Sequence, residues 1–271
     1  MTSVRIVRIA HDGGPRYGVV EDAEVALIDP HPFAPHRRTG ERVPLAGLRL
    51  LAPVIPSKVV CVGKNYRDHA AELGGEVPDE ALFFLKPSSS VIGPGEPIRL
   101  PMDQASEFHH EAELAVVIGA LMQRVAPEQA LTGVLGYTCA NDVTARDLQR
   151  RESQWFRAKG FDSFCPLGPA IATGLEPSDV RVRCLVDEEL RQDGTTADLV
   201  WDVATLLSEI SQVVTLLPSD VVLTGTPAGV GPIAAGQTVR VDIEGIGSLE
   251  NPVVDRDAAD PAAERTNGHG T

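Results

Sequence analysis

The sequence predicts a mainly β chain with a few helices, an α+β organisation. Three observations carry this reading. Short runs of alternating apolar and polar residues recur along the chain. Gly 25 and Pro 21 supply turns between them. The longer apolar runs are short and β-branched, and helical spacing appears in only a few segments.

At 271 residues the chain is long enough for one large domain or two smaller ones. Hydrophobic residues make up 43% but aromatics only 4%, so the core must be mostly aliphatic. A net charge of −14 argues against nucleic acid as a partner, because phosphate binding needs clustered Lys and Arg. Cys61, Cys139, Cys165 and Cys184 form no CxxC pair and read as buried free thiols in a reducing compartment. Residues 1–9 contain no long apolar signal region, and no apolar run approaches membrane-spanning length. The expectation is a soluble, cytoplasmic protein with no membrane partner.

Residues 1–55 read as a small N-terminal β domain. VRIVRI, RYGVV and EVALID are short strands, broken by HDGG and by PHPFAPHRRTG. Pro53 and Pro56 mark the joint to a main domain over 56–254. Lys58 opens a strand, and residues 65–73 follow as a short helix stopped by Gly74 and Gly75. His69 and Glu72 share one face of that helix. A carboxylate beside a His suits a general base; a surface salt bridge is the plainer alternative. The glycines beyond it would suit a mobile lid. Lys86 ends an apolar strand, where it could pair with nearby acids, face a substrate carboxylate or be an ordinary strand-end lysine.

The most informative stretch is EFHHEAELAVVIG, residues 107–119. Glu111 and Glu113 precede a strand buried on both faces and, by strand alternation, point to the same side. Two adjacent carboxylates repel, and burying them unpaired is expensive. A hard divalent cation would resolve this with oxygen ligands; a solvated pair at a strand mouth is the alternative. His109 and His110 lack HExxH spacing and read as supporting residues. GVLGYTCANDV, residues 133–143, is another buried strand, ending near Asp142. TARDLQRRES reads as a helix capped by Thr144, with Arg146 and Gln149 on one face, able to hold a planar carboxylate or simply to face solvent. WFRAKGFDSFCPLGP gathers Trp155, Phe156, Phe161 and Phe164 around Lys159, as a folded loop packed over something. A hairpin over VRVRCLVDEELRQDG, a helix capped by Asp202, a strand running into GTPAGVG with Thr226 exposed at the turn, and a final hairpin complete the domain. Residues 255–271 read as a disordered tail.

From about Lys58 to Val253 the chain resembles the fumarylacetoacetate hydrolase family. VGKNYRDHAAE, FLKPSS, HHEAELAVVIG, NDVTARDLQ, RAKGFD and LTGTPAGVG carry the resemblance, in the family's order. The resemblance implies a mixed β-sandwich roll preceded by a small N-terminal β domain, and a homodimer. It implies Mg²⁺ or Mn²⁺ held by Glu111, Glu113 and Asp142. It also implies a lid dyad of His69 and Glu72, an active-site Lys159, and substrate contacts from Lys86, Arg146, Gln149 and Thr226. Where many relatives turn a hairpin with Asn-Gly, this chain has Asp187-Glu188. A small 2-oxo acid could chelate such an ion, with charge stabilised at its keto oxygen as a C–C bond breaks. Hydrolysis of an acylpyruvate or 1,3-dioxo acid would add water activated by His69 and Glu72. Isomerisation or decarboxylation of unsaturated dicarboxylic 2-oxo acids would need only the enolate and a proton. A binding module without catalysis fits least well with so complete a set of residues.

Overall fold

The structure is a computed structural model that describes residues 4–72 and 78–257. Its largest sheet is nearly continuous from one end of the chain's order to the other. From one edge it runs Arg37–Pro44, Glu24–Asp29, Arg16–Glu21, Arg5–Ile9, Cys165–Ala172, Val134–Asn141, Ala112–Ile118, Val221–Leu223, Val59–Gly63 and Leu82–Lys86. The N-terminal strands therefore extend the main sheet, through Arg5 opposite Ala172 and Ile6 opposite Ile171. The strand Arg37–Pro44 was not legible as one, because most of its side chains face solvent and show no apolar alternation. It lies at the sheet edge, where Arg42 pairs with Glu21 and Glu24.

The second sheet has five strands, in the order Glu189–Thr195, Arg181–Val186, Thr238–Ile243, Gly247–Asp255 and Ile98–Leu100. The strand Ala112–Ile118 is buried throughout, as its composition requires. Its even-numbered residues Leu114 and Val116 pack with Val182, Cys184, Val239, Val241 and Leu249 of the second sheet. Its odd-numbered residues Ala115 and Val117 join Cys61, Ala140, Cys165, Val221 and Leu223 on the opposite face. Glu111 and Glu113 have the odd parity, so the alternation that buries this strand also sends both carboxylates to one side.

The hairpin at Asp187-Glu188 closes without glycine: both residues have positive φ, 49° and 67°, as a two-residue turn of the primed kind demands. Asp187 compensates by accepting from Thr238 N–H and Gln237 Nε2. The helix Val203–Val213 starts as expected, with Asp202 accepting from the Thr205 N–H. All four cysteines are buried and free. The expected tail begins later than its composition implies. The last strand runs to Asp255, opposite Leu100, and Arg256 is held by the Leu100 carbonyl and by Asp103. Residues 258–271 and the Gly74–Gly75 pair lie outside the described residues. Among the described residues, no helix is long and apolar enough to cross a membrane.

Candidate metal centre and active site

Antiparallel pairing builds the centre. Ala112 lies opposite Asn141 and Glu113 opposite Ala140, which carries the next residue, Asp142, alongside Glu111. The Asp142 N–H donates to the Glu111 carbonyl at 2.8 Å, and the Glu111 N–H donates to Asn141 Oδ1 at 2.9 Å. Glu111, Glu113 and Asp142 are all buried, and each can offer an oxygen within 4.8 Å of the others. Three convergent buried carboxylates are the donor set of a hard divalent cation such as Mg²⁺ or Mn²⁺. Among the described residues this is the group that fits such an ion; neither His109 nor His110 joins it.

Three buried cations face the carboxylates. Lys86 Nζ lies 2.6 Å from Asp142 Oδ1 and 3.2 Å from the Val143 carbonyl. Lys159 Nζ bridges Asp142 Oδ2 at 2.6 Å and Glu111 Oε2 at 2.8 Å, with its ammonium 5.1 Å from the centre of the Phe84 ring. Arg146 Nη2 meets Glu111 Oε1 at 2.5 Å while Nη1 meets Gln149 Oε1 at 2.5 Å. Burial opposes ionisation of Glu111, but Lys159 and Arg146 hold its carboxyl well below the usual range. Among the described residues no cation bonds Glu113 directly. Burial, then Asp142 and Glu111, push its carboxyl well above the usual range, against the Gly225 N–H that donates to it at 2.6 Å.

The dyad also assembles. The helix Arg67–Glu72 places His69 Nδ1 3.3 Å from Glu72 Oε2, and Glu72 accepts from the Gly229 N–H at 3.1 and 3.2 Å. Burial lowers the affinity of His69 for a proton, with Glu111 and Glu72 opposing, so the imidazole is neutral near pH 7. His69, the three carboxylates, Arg146, Gln149, Lys159 and Thr226 all line one cavity. Val62, Phe84 and Trp155 form its apolar wall.

Three expectations change. Lys86 does not line the cavity: it is fully buried and bonded to Asp142, away from the space where a substrate would sit. Thr226 lines the cavity but is buried, and its hydroxyl proton is committed to the Ala112 carbonyl at 2.8 Å. It can therefore accept from a ligand but not donate. Thr144 caps no helix. The helix Arg146–Arg151 starts after Ala145, and the Thr144 hydroxyl is drawn inward to Glu111 Oε1 and the Asp142 carbonyl. His109 pairs with Glu107, and burial pushes His110 down to about 4, neutral and bound through Nδ1 to Gln192.

Sequence reasoning missed Lys64, Phe84, Asn65 and Gln192. Lys64 lines the cavity from a left-handed backbone position, φ 57°, which no local sequence signal announces. The aromatic loop packs where its composition hinted: Trp155 meets Phe84 edge-on at 5.4 Å, over Gly63. Asn65 and Gln192 act through bonds to residues far away in sequence, on Trp201, Thr224, Ala112 and Pro227.

Comparison with known proteins follows the same lines. The family model described as fumarylacetoacetate (FAA) hydrolase C-terminal matches residues 58–254, and one described as Rv2993c-like, N-terminal matches residues 4–53. The chain is 49% identical to protein Rv2993c of Mycobacterium tuberculosis over 93% of this chain and 98% of that protein. The solved structure of 2-hydroxyhepta-2,4-diene-1,7-dioate isomerase from Mycobacterium marinum superposes with a TM-score of 0.88 at 46% identity, covering 94% of this chain and 100% of that one. Maleylpyruvate hydrolase from Sphingobium sp. SYK-6, solved with manganese(II) and pyruvate, gives 0.76 at 32% identity, covering 93% and 99%.

The raised Glu113 carboxyl gives a stability test on metal-free protein. A carboxyl whose proton is held more tightly in the folded state destabilises the fold as pH rises above its unfolded value, 4.5. His69, His109 and His110 work in the opposite sense while the unfolded imidazoles titrate around 6.5, so the Glu113 effect is isolated only above about pH 7.5. Unfolding free energy should fall as pH rises from about 7.5, with a slope of up to about 1.4 kcal/mol per pH unit. Glu113→Gln should flatten that slope; an equal slope in the variant, measured by urea titration, contradicts the assignment.

Proposed function

This chain belongs to the fumarylacetoacetate hydrolase family, and from that premise we propose that it is a divalent-metal-dependent enzyme acting on a small 2-oxo acid. The observation that carries the reading is one cavity wall shared by a neutral His69 and three convergent carboxylates. Glu111, Glu113 and Asp142 would hold Mg²⁺ or Mn²⁺, which supplies positive charge for a chelating carboxylate and keto group and for charge developing at the keto oxygen. Arg146, with Gln149, and Lys159 would orient the substrate's carboxylate. Lys86, bonded to Asp142 Oδ1, holds that carboxylate in place.

The first reading is hydrolysis of the C–C bond of an acylpyruvate or 1,3-dioxo acid. With Nδ1 turned to Glu72, Nε2 of His69 is the nitrogen that accepts a proton from water as the water oxygen attacks the distal carbonyl carbon. The C–C bonding pair leaves with the pyruvate fragment, which is protonated at carbon. Glu72 fixes the imidazole's tautomer and balances the imidazolium. A second reading is isomerisation or decarboxylation of an unsaturated dicarboxylic 2-oxo acid. The Mycobacterium marinum relative favours it. There His69 moves a proton between carbons, or protonates the product, without an attacking water. The four free, buried thiols support a reducing cytoplasm as the working compartment.

A homodimer is part of the proposal. Leu82 and Leu85 on the edge strand Leu82–Lys86, together with Phe156, leave apolar surface exposed. Light scattering should give twice the chain mass; a single chain mass at micromolar concentration contradicts it.

Turnover of acylpyruvates, oxaloacetate and diene dioates with Mg²⁺ or Mn²⁺ separates the readings by product. His69→Ala should lower acylpyruvate hydrolysis roughly 10²–10⁴-fold, the scale of a lost general base. Oxaloacetate decarboxylation should fall less, and an oxalate-like inhibitor should still bind. If both activities fall in the same ratio, His69 is not a base for water.

A further inference from the structure

Gln192 lies on the strand Glu189–Thr195 of the second sheet, has no exposed surface, and uses every hydrogen-bonding group it owns. Its Oε1 accepts from the Ala112 N–H at 3.0 Å and from His110 Nδ1 at 3.0 Å. Its Nε2 donates to Thr226 Oγ1 at 2.7 Å and to the Pro227 carbonyl at 2.7 Å. The backbone donor on one side and the backbone carbonyl on the other admit only this orientation of the amide. One side chain thus grips both the segment bearing Glu111 and Glu113 and the loop 224–229.

That loop touches both halves of the centre. Near its start the Gly225 N–H donates to Glu113 Oε2 at 2.6 Å, and at its end the Gly229 N–H donates to Glu72. The loop is pressed onto the strand beneath it. A Cβ on Gly229, at φ 97°, would lie 2.1 Å from the Arg191 carbonyl oxygen, and one on Gly194 would lie 2.6 Å from Pro227 Cβ. Gln192 sits between those two contacts. We infer that Gln192 is a positioning residue: it fastens the loop 224–229 to the carboxylate-bearing strand, and through the loop fixes Glu72 relative to Glu113. It reaches neither substrate nor cation; it sets the spacing between the dyad and the cluster. Only the kinetic consequence of this role rests on the proposed function.

The test uses Gln192→Leu, which keeps most of the volume and removes all four bonds, and Gly229→Ala, whose Cβ would push the far end of the loop off the Arg191 carbonyl while leaving the Gln192 amide in place. In metal-free protein, hydrogen exchange at the Gly225 and Gly229 amides should be about tenfold faster or more in Gln192→Leu, beyond any change in global stability. The Mn²⁺ dissociation constant should rise about tenfold, and kcat should fall at saturating Mn²⁺ with little change in KM. Gly229→Ala should lower kcat while leaving Mn²⁺ affinity as in the wild type. Gln192→Leu should add nothing to the loss of kcat already caused by Glu72→Gln. Exchange at Gly225 and Gly229 that rises only in step with global stability, or wild-type kcat in Gly229→Ala, overturns the inference. The exchange experiment needs neither metal nor substrate. A wild type that turns over no 2-oxo acid would therefore refute the proposed function, while the exchange rates would still decide whether Gln192 holds the loop.

Discussion

Mutual repulsion among three buried carboxylates is the constraint around which the centre is built. Two unit charges 4.8 Å apart repel by about 3–4 kcal/mol even at an effective dielectric constant near 20, and Glu111, Glu113 and Asp142 form three such pairs. The fold answers with three buried cations from three different elements: Lys86 at the end of an edge strand, Arg146 on the short helix Arg146–Arg151, and Lys159 at the end of the short helix Phe156–Lys159. Their pairing is uneven. Glu111 and Asp142 take the cations, and Glu113 is left with a backbone N–H. That asymmetry raises the proton affinity of one carboxyl in the metal-free protein, so a cation would compete with a proton there. Three negative and three positive side chains balance, so a divalent ion would leave the cavity net positive, a setting suited to an anionic acid in a chain whose overall charge is −14.

The sheet explains why these groups can be held so closely. Strand Ala112–Ile118 is paired on both sides, by Val134–Asn141 and by Val221–Leu223, and both flanking strands continue past it into functional segments. One neighbour delivers Asp142. The other delivers the loop that binds Glu113 and Glu72. The cluster is thus fixed by backbone register in the middle of a wide sheet, while the dyad stands on a single short helix. Precision is greatest where charge must be controlled.

Much of this was legible from the chain alone, for identifiable reasons. Glu111 and Glu113 were readable because period-two alternation is local, and Asp142 because it ends a buried strand. His69 and Glu72 were readable because three-residue spacing fixes a helical face. What local pattern could not supply was the partner of each polar side chain. Lys86 looked like a substrate contact until the structure showed it bonded to Asp142. Thr144 looked like a cap and Thr226 an exposed donor, because the sequence does not show that each hydroxyl is claimed from across the sheet. Gln192 sits in a polar hairpin, RQDG, that reads as surface. Only the packing of one sheet on the other reveals it as the most fully bonded side chain near the centre.

The central claim is that the carboxylate cluster is a divalent-cation site whose charge the surrounding cations balance. Titration of metal-free protein with Mn²⁺, followed by electron paramagnetic resonance of the free ion, tests it without any substrate. One ion should bind per chain in the wild type, and that binding should be lost in Glu113→Gln. Binding that is absent from the wild type, or equally tight in Glu113→Gln, would contradict the claim.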